Sequence, residues 1–321
     1  MKNTVLITGG AGFIGFFVAK KLLERGDKVI IVDNINDYYD PQLKIDRLAE
    51  LKKHPQAENL QVEKLDIAEY AELEKIFQEN KINKVFNSAA QAGVRYSLEQ
   101  PFSYERTNLL GFLNILELMR HYKVKDLVYA SSSSVYGANT KTPFAESDKT
   151  DKPVSLYAAT KKSNELMAHA YHHLFDINAT GLRFFTVYGP WSRPDMAMLK
   201  FALKMAKGEQ VDIYNEGKMK RDFTYIDDIV QGVIAAIDKA YPFEVFNLAY
   251  GKSVELLKYV EALEKSLGIE AKKNLMPMQP GDVVQTDADI SKAKKMLGFN
   301  PHTSVEDGVQ KFAEWFKEYY K

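Results

Sequence analysis

A doubly wound α/β fold on a parallel sheet is predicted by three features of this 321-residue chain. Short apolar runs recur between Val5 and Phe185 with helical stretches separating them, the alternation that yields parallel strands covered on both faces. The first run feeds a glycine-rich turn that opens a helix. The second run ends on an aspartate.

Taken in order, the expected strands are residues 5–8, 29–32, 60–64, 84–87, 127–130 and 179–185. The turn after the first reads Gly9-Gly-Ala-Gly12-Phe-Ile-Gly15. Gly9 permits a tight turn, Gly12 lets backbone approach a pyrophosphate, and Gly15 lets the next helix pack close to the sheet. The helix N-terminus there offers unpaired N–H groups and a positive dipole end to phosphates. Asp33, closing the second strand, can accept hydrogen bonds from adenosine ribose hydroxyls and would repel a 2′-phosphate, so NAD is favoured over NADP. The expected domain is therefore Rossmann-type. The segment 33–51 is long for a strand-to-helix connection and reads either as a functional loop or as a surface excursion.

In such sheets ligands bind beyond the strands' C-terminal ends. That rule selects residues 9–15, Asp33, Asp66 and Ile67, Ser88 to Ala90, 131–134 and 186–190. Beyond Pro190 the pattern is less regular. Helices are expected at about 195–207, from near Asp227, and around 254–267 and 305–320, with a strand at 211–214. The chain thus divides into a nucleotide-binding domain, 1–186, and a smaller C-terminal substrate-binding lobe, 187–321, with some later elements returning to the first domain.

Composition narrows the function classes. There are 43 basic and 43 acidic residues, and no long basic run, so no nucleic-acid or membrane surface is expected. No apolar run reaches the length of a membrane span. The absence of cysteine excludes disulfides, catalytic thiols and thiolate metal sites, and suits a reducing compartment, with cytoplasm the expectation.

The second strong signal is Tyr157-Ala-Ala-Thr-Lys161 at the start of a helical stretch running to about Phe175. Residues four apart on a helix share a face. A free tyrosine has a pKa of about 10, but a neighbouring ammonium and an oxidised nicotinamide both favour the phenolate. That makes a usable general base. Serines 131–134, just past the fifth strand, supply hydroxyls able to stabilise a developing alkoxide.

The glycine turn, the serine cluster and the Tyr157/Lys161 pair together resemble the extended short-chain dehydrogenase/reductase family over essentially the whole chain. Within it, the segments NDYYDPQLK, AGVRYSLEQP, LVYASSSSVYG, PVSLYAATKKSNELMAHAY, GLRFFTVYGPWSRPDMA and GKMKRDFTYIDDI are similar to nucleotide-sugar 4-epimerases, most closely the bacterial UDP-glucuronate 4-epimerases. The resemblance implies Tyr157, Lys161 and Ser132 as the catalytic set, with Lys161 also binding nicotinamide ribose. For NAD it implies Gly9, Gly12, Phe13, Ile14 and Gly15, then Asp33, Asn34, Asp66, Ile67, Ala89, Ala90, Gln91 and Asn108, with Tyr157 and Lys161. For a UDP-sugar it implies Ser132, Ser133, Ser134 and Tyr157, Thr186 at the diphosphate, Tyr214 near uracil, Arg221 on phosphate, and Asp282. Where many galactose epimerases carry a second phosphate arginine before Pro-Gly-Asp, this chain has Gln279, and Arg193 is the replacement. Arg95 faces either the sugar carboxylate or an exposed ion-pair partner.

Related dehydratases resemble Thr-Asp-Glu-Val-Tyr-Gly at the fifth strand end, whereas this chain has no carboxylate between Ser131 and Gly137. A neutral cluster holds substrate without shuttling protons, which suits epimerisation at C4. The expected reaction is interconversion of UDP-glucuronate and UDP-galacturonate. A 4-epimerase of neutral UDP-hexoses and a catalytically silent NAD-binding regulatory protein are the alternatives. A homodimer is implied through helices around 107–121 and 158–175, whose apolar faces read equally as core. No metal is expected: His169, His172 and His173 lie on the Tyr157 helix without a carboxylate pair of suitable spacing. Asp227 and Asp228 read as helix cap and first-turn acid.

Overall fold

The structure, a computed structural model, describes residues 2–278 and 284–321. Strand and helix alternate as β1 (Thr4–Thr8), α1 (Phe13–Arg25), β2 (Lys28–Asp33), α2 (Gln42–Lys52), β3 (Leu60–Lys64), α3 (Tyr70–Glu79) and β4 (Lys84–Asn87). Two single-turn helices follow, α4 (Tyr96–Glu99) and α5 (Pro101–Tyr104), then a π-helical stretch, Glu105–Gly111, that runs into α6 (Phe112–His121). Next come β5 (Asp126–Ser132), α7 (Leu156–Phe175) and β6 (Asn178–Phe184). The remainder comprises β7 (Thr186–Tyr188), α8 (Ala197–Ala206), β8 (Gln210–Tyr214), β9 (Lys220–Arg221), β10 (Phe223–Tyr225), α9 (Ile226–Lys239), β11 (Phe243–Leu248), β12 (Val254–Glu255), α10 (Leu256–Leu267), β13 (Lys272–Met276), α11 (Ser291–Leu297) and α12 (Val305–Tyr319).

The chain forms two compact units. One holds Met1–Asn139, Ser147–Phe184 and Val230–Phe246; the other holds Thr140–Glu146, Phe185–Ile229 and Asn247–Lys321. The first is built on a seven-stranded sheet of order β11-β6-β5-β4-β1-β2-β3, with the β3-to-β6 ladder parallel throughout. Val5, Leu6 and Ile7, and all of Val29 to Val32, are fully buried, because a parallel strand covered on both faces needs apolar residues at successive positions rather than alternate ones. Leu73, Ile76 and Phe77 of α3 and Phe112, Ile115 and Met119 of α6 join the core containing Leu6, Ile30, Val85 and Leu127. Strand order reverses beside β1, between β2 and β4, which sets a ligand crevice at their C-terminal ends.

In the second unit short ladders collect scattered segments. Thr186 pairs with Phe223, Arg221 with Val254, and Tyr214 with Met276. The Phe223 and Tyr259 rings stack at 4.0 Å between centroids, tying β10 to α10.

The segment 33–51 departs from expectation. Its second half is helical, as α2, with Leu43, Leu48 and Leu51 buried, so the connection proper is confined to residues 34–41. The helix was hard to see because its buried stripe is completed by Lys44 and Arg47 rather than by apolar residues. Helix 254–267 likewise begins two residues later, after the short strand β12.

Candidate active site

Gly9 turns the chain with φ +69°, and its N–H donates to the Val32 carbonyl at 2.7 Å. A Cβ on Gly15 would sit 2.3 Å from the Gly9 carbonyl oxygen, so α1 approaches the turn only because that position lacks a side chain. Gly12 is the N-cap of α1 and supplies no side-chain acceptor, and the first turn, which includes Phe13, Ile14 and Gly15, has no acidic residue. A helix start without its own capping carboxylate or hydroxyl fits an incoming anion, as a dinucleotide's diphosphate would be.

Asp33 is buried at the end of β2, where one carboxylate oxygen accepts the Ala11 N–H at 3.0 Å and the other the Ile35 N–H at 2.9 Å. Each oxygen keeps a lone pair for a further donor. The turn is held from its other side by Arg47, fully buried, which donates to the Ala11 carbonyl at 2.9 Å and to the Tyr39 hydroxyl at 2.9 Å. Thus α2 contributes to shaping the turn. Asn34 reaches Asp66 at 3.4 Å, and Asp66 also accepts the Ala68 N–H at 2.9 Å, while Ile67 is buried. Ala89 N–H donates to the Thr8 hydroxyl at 3.3 Å, so the β4 end that leads to Ala90 is fastened to β1.

Asn108 has a bracket role that its sequence context did not reveal. Its side-chain oxygen accepts the Gln91 N–H at 2.8 Å, and its amide donates to the Gln91 carbonyl at 3.1 Å and to the Thr160 hydroxyl at 3.0 Å. The Asn164 amide donates to the Asn108 carbonyl at 2.7 Å. The π-helical stretch therefore clips the loop after β4 to α7.

Helix α7 starts where Ser155 caps it, its hydroxyl accepting the Ala158 N–H at 3.1 Å. Tyr157 stands in the first turn, its ring edge-on to Tyr104 at 6.1 Å. Lys161, one turn on, is only 2 % exposed and donates to the Ala130 carbonyl of β5 at 2.8 Å. Burial lowers its pKa to about 8. The ammonium has two further donors. Ser132, at the end of β5, accepts the Ser134 N–H at 3.1 Å and donates to the Ser134 hydroxyl at 3.1 Å, which fixes the turn carrying Ser133 and Ser134. Lys161 thus ties α7 to the end of β5 that carries the serine turn, and Tyr157 stands one helical turn before Lys161 in the same unit. Ser131 differs from its neighbours: its hydroxyl donates to Glu165 at 2.8 Å and is committed to the interior.

Glu165 and Arg183 escaped the sequence reading. They form a buried two-pronged ion pair, Nε to Oε1 at 2.8 Å and Nη2 to Oε2 at 2.9 Å. Burial raises the Glu165 pKa, yet Arg183, Lys162 and Ser131 together outweigh it and leave the carboxyl below its ordinary value. The available signal was spacing, since Glu165 follows Lys161 by one helical turn on the same face.

In the second unit, Thr186 N–H donates to the Asp222 carbonyl at 3.2 Å, next to Arg221. Arg221 donates to the Lys220 carbonyl at 3.0 Å. Asp222, also unforeseen, is buried and accepts the N–H groups of Tyr250 and Gly251 at 2.8 and 3.0 Å. Burial raises its pKa to about 6 against those bonds. Arg193 makes a fork with Asp195 at 3.0 and 2.9 Å, and Tyr214 ends β8. In the first unit Arg95 immediately precedes α4, makes no side-chain capping bond to it and is exposed. Asp282 lies outside the described residues. Among the described residues, no group of three His, Cys, Asp or Glu is placed to hold a metal ion, and no helix is long and apolar enough to cross a membrane.

A glycine turn for a diphosphate and a Tyr/Lys/Ser cluster beyond adjacent parallel strands are the marks of one enzyme family, and the sequence family described as GDP-mannose 4,6 dehydratase matches residues 6–312. The chain belongs to this extended short-chain dehydrogenase/reductase family. It is similar to the probable UDP-glucuronate 4-epimerase of Rhizobium meliloti, 45% identical over 98% of this chain and 97% of that protein. It is 47% identical to UDP-glucuronate 4-epimerase 4 of Arabidopsis thaliana over 99% of this chain and 76% of that one. Among solved structures, the UDP-glucuronic acid 4-epimerase of Bacillus cereus in complex with UDP-glucuronic acid and NAD superposes with a TM-score of 0.91, at 34% identity over 99% of this chain and 100% of that one.

Proposed function

We propose that this family member is an NAD-dependent UDP-glucuronate 4-epimerase, interconverting UDP-glucuronate and UDP-galacturonate. What supports the reading is the bond by which Lys161, on the Tyr157 helix, grips the end of β5, together with a following turn, Ser131 to Gly137, that has no carboxylate. The similar enzymes from Rhizobium, Arabidopsis and Bacillus carry the same activity in their names.

When bound along the glycine turn, with Asp33 on the adenosine ribose and Lys161 on the nicotinamide ribose, NAD supplies the redox chemistry by taking up the C4 hydrogen with its electron pair and returning it. Tyr157 as phenolate removes the O4 proton, and Ser132 donates to O4 as charge develops there. The 4-keto sugar turns about its diphosphate linkage, and Tyr157 gives the proton back as the opposite configuration forms. Lys161, charged below pH about 8, favours the phenolate. Arg221, Arg193 and Thr186 bind the diphosphate, Tyr214 stacks near uracil, and Arg95 with Ser133 and Ser134 receives the sugar carboxylate. Atoms balance within each turnover, so no external nicotinamide is consumed.

Incubation with UDP-glucuronate alone, read by NMR, tests the assignment. UDP-galacturonate is the expected product, and conversion of UDP-glucose with UDP-glucuronate untouched would favour the neutral-sugar reading. That reading draws on a UDP-glucose 4-epimerase structure from Thermotoga maritima, 30% identical with a TM-score of 0.87.

We further propose a homodimer in the cytoplasm. Phe102 is 83% exposed, Leu98, Leu166 and Leu174 are also exposed, and Leu110 and Leu113 partly so, on the segments from α4 to α6 and on α7. Apolar side chains of this size on two helical segments suit a self-complementary interface. Sedimentation of wild type and Leu166→Lys checks it: a dimer and a monomer are expected, and a monomeric wild type would refute it.

A further inference from the structure

On α7, Tyr157, Lys161 and Glu165 occupy one face at successive turns. Lys161 grips the Ala130 carbonyl, and Glu165 grips the hydroxyl of the next residue, Ser131. The same Glu165 oxygen accepts from Nε of Arg183 at 2.8 Å. Arg183 and Ser131 are directly paired across β6 and β5, so their side chains project to the same face of the sheet. The Arg183 guanidinium also lies over the Tyr136 ring at 4.9 Å, at the far end of the serine turn. Glu165 and Arg183 side chains are each only 4% exposed.

A buried ion pair of this kind is a poor source of stability, because desolvation offsets most of its attraction. Its distinctive product is geometry: a planar fork on a carboxylate fixes direction as well as distance. Here it fixes Ser131. Ser132 follows directly on the anchored Ser131 at the end of β5, so its placement depends on that anchor.

Resting on the epimerase reading above, we propose that Glu165, locked by Arg183, is a positioning residue that sets the end of β5 against α7, so that Ser132, Lys161 and Tyr157 keep their catalytic spacing. Glu165 does not touch the substrate in this account. It acts through Ser131 and, by way of Arg183, through Tyr136.

The test uses the holoenzyme with two variants. Glu165→Leu combined with Arg183→Met removes both charges while conserving volume, a change that commonly leaves folding intact. Arg183→Lys keeps the charge and loses the fork. Both are expected to melt near the wild-type temperature and to lower kcat roughly 10- to 100-fold with KM for UDP-glucuronate unchanged, as loosened catalytic spacing does. In the double variant the loosened end of β5 is expected to admit water to Lys161, so its titration, followed by NMR of labelled lysine, should move up from about 8 as the burial that lowers it is relieved. A double variant with wild-type kcat, or with an unmoved Lys161 titration, overturns the proposal. The titration needs no turnover, so it judges the positioning role even if wild type left UDP-glucuronate unchanged, a result that would instead overturn the functional reading.

Discussion

Lys161, one helical turn after Tyr157, donates to the backbone carbonyl of Ala130 at 2.8 Å, so its ammonium is anchored to the C-terminal end of β5 through a neutral carbonyl. Burial without a counter-charge is what brings its pKa down to about 8. The charged form therefore dominates at neutral pH and fades above it.

The first prediction follows for activity and for stability. The value of kcat/KM should fall as pH rises through about 8, because neutral Lys161 no longer favours the Tyr157 phenolate. For stability the sign is opposite. Between about 8 and 10.5 the unfolded chain holds a proton that the folded protein has released, so this group's contribution rises with pH there. Lys161→Met should lose the alkaline limb in a pH–rate profile and be more stable than wild type at pH 7, with the advantage shrinking above 8. An alkaline limb that survives in Lys161→Met would assign it to another group.

Tyr157→Phe removes the base and keeps the ring that packs edge-on to Tyr104. Turnover should drop about 10²- to 10⁴-fold, while calorimetry shows UDP-glucuronate affinity within a few-fold of wild type. Arg221→Ala should show the reverse pattern, with weakened binding of UDP itself through loss of a charge-assisted phosphate contact. Full activity in Tyr157→Phe would remove the tyrosine from the mechanism.

Much of this site was legible because the chemistry sits where strands end. The six strands expected from apolar runs all appear, since runs such as Val29 to Val32, apolar at successive positions, suit strands covered on both faces. The glycine turn and the Tyr157/Lys161 pair carry local signatures that survive without tertiary information. What escaped was polar and buried. Glu165 and Arg183, 18 residues apart, become partners only once α7 packs against β6, and Lys44 and Arg47 conceal α2 by occupying core positions. Asp222 was likewise opaque, because its partners Tyr250 and Gly251 reach it from the loop between β11 and β12. The seventh strand, β11, follows a helix of the less regular C-terminal region and was not singled out.

Asp222 provides a prediction for that unit. Its folded pKa is raised to about 6 by burial, against 3.8 as the ordinary value, so the folded state holds the extra proton between those limits. Stability from this group is present at acid pH and is lost as pH rises from about 4 through 6. The unfolding free energy of wild type minus that of Asp222→Asn should therefore decline across this window in parallel urea titrations. A flat difference would mean that the carboxyl titrates as an ordinary acid.

Oxidation at C4 places a ketone β to the C5 carboxylate, and such an acid loses carbon dioxide when the carboxylate bond aligns with the carbonyl π system. Ser133 and Ser134, on the turn fixed by Ser132, are placed to hold the carboxylate out of that alignment in the proposed mechanism. Wild type should yield UDP-galacturonate with little UDP-pentose. Alanine at Ser133 or Ser134 should raise the pentose share even as the total rate falls. Mass spectrometry of the products reads the partition, and an unchanged ratio in both variants would show that other groups restrain the carboxylate.

The central claim is that one hydrogen leaves C4 and returns to it inside a single site. Turnover of UDP-glucuronate carrying deuterium at C4, in ordinary water and without added nicotinamide, tests this directly by NMR of the product. The account predicts UDP-galacturonate with the deuterium retained at C4 and no free NADH accumulating. Protium at C4, or NADH released in proportion to product, would contradict it.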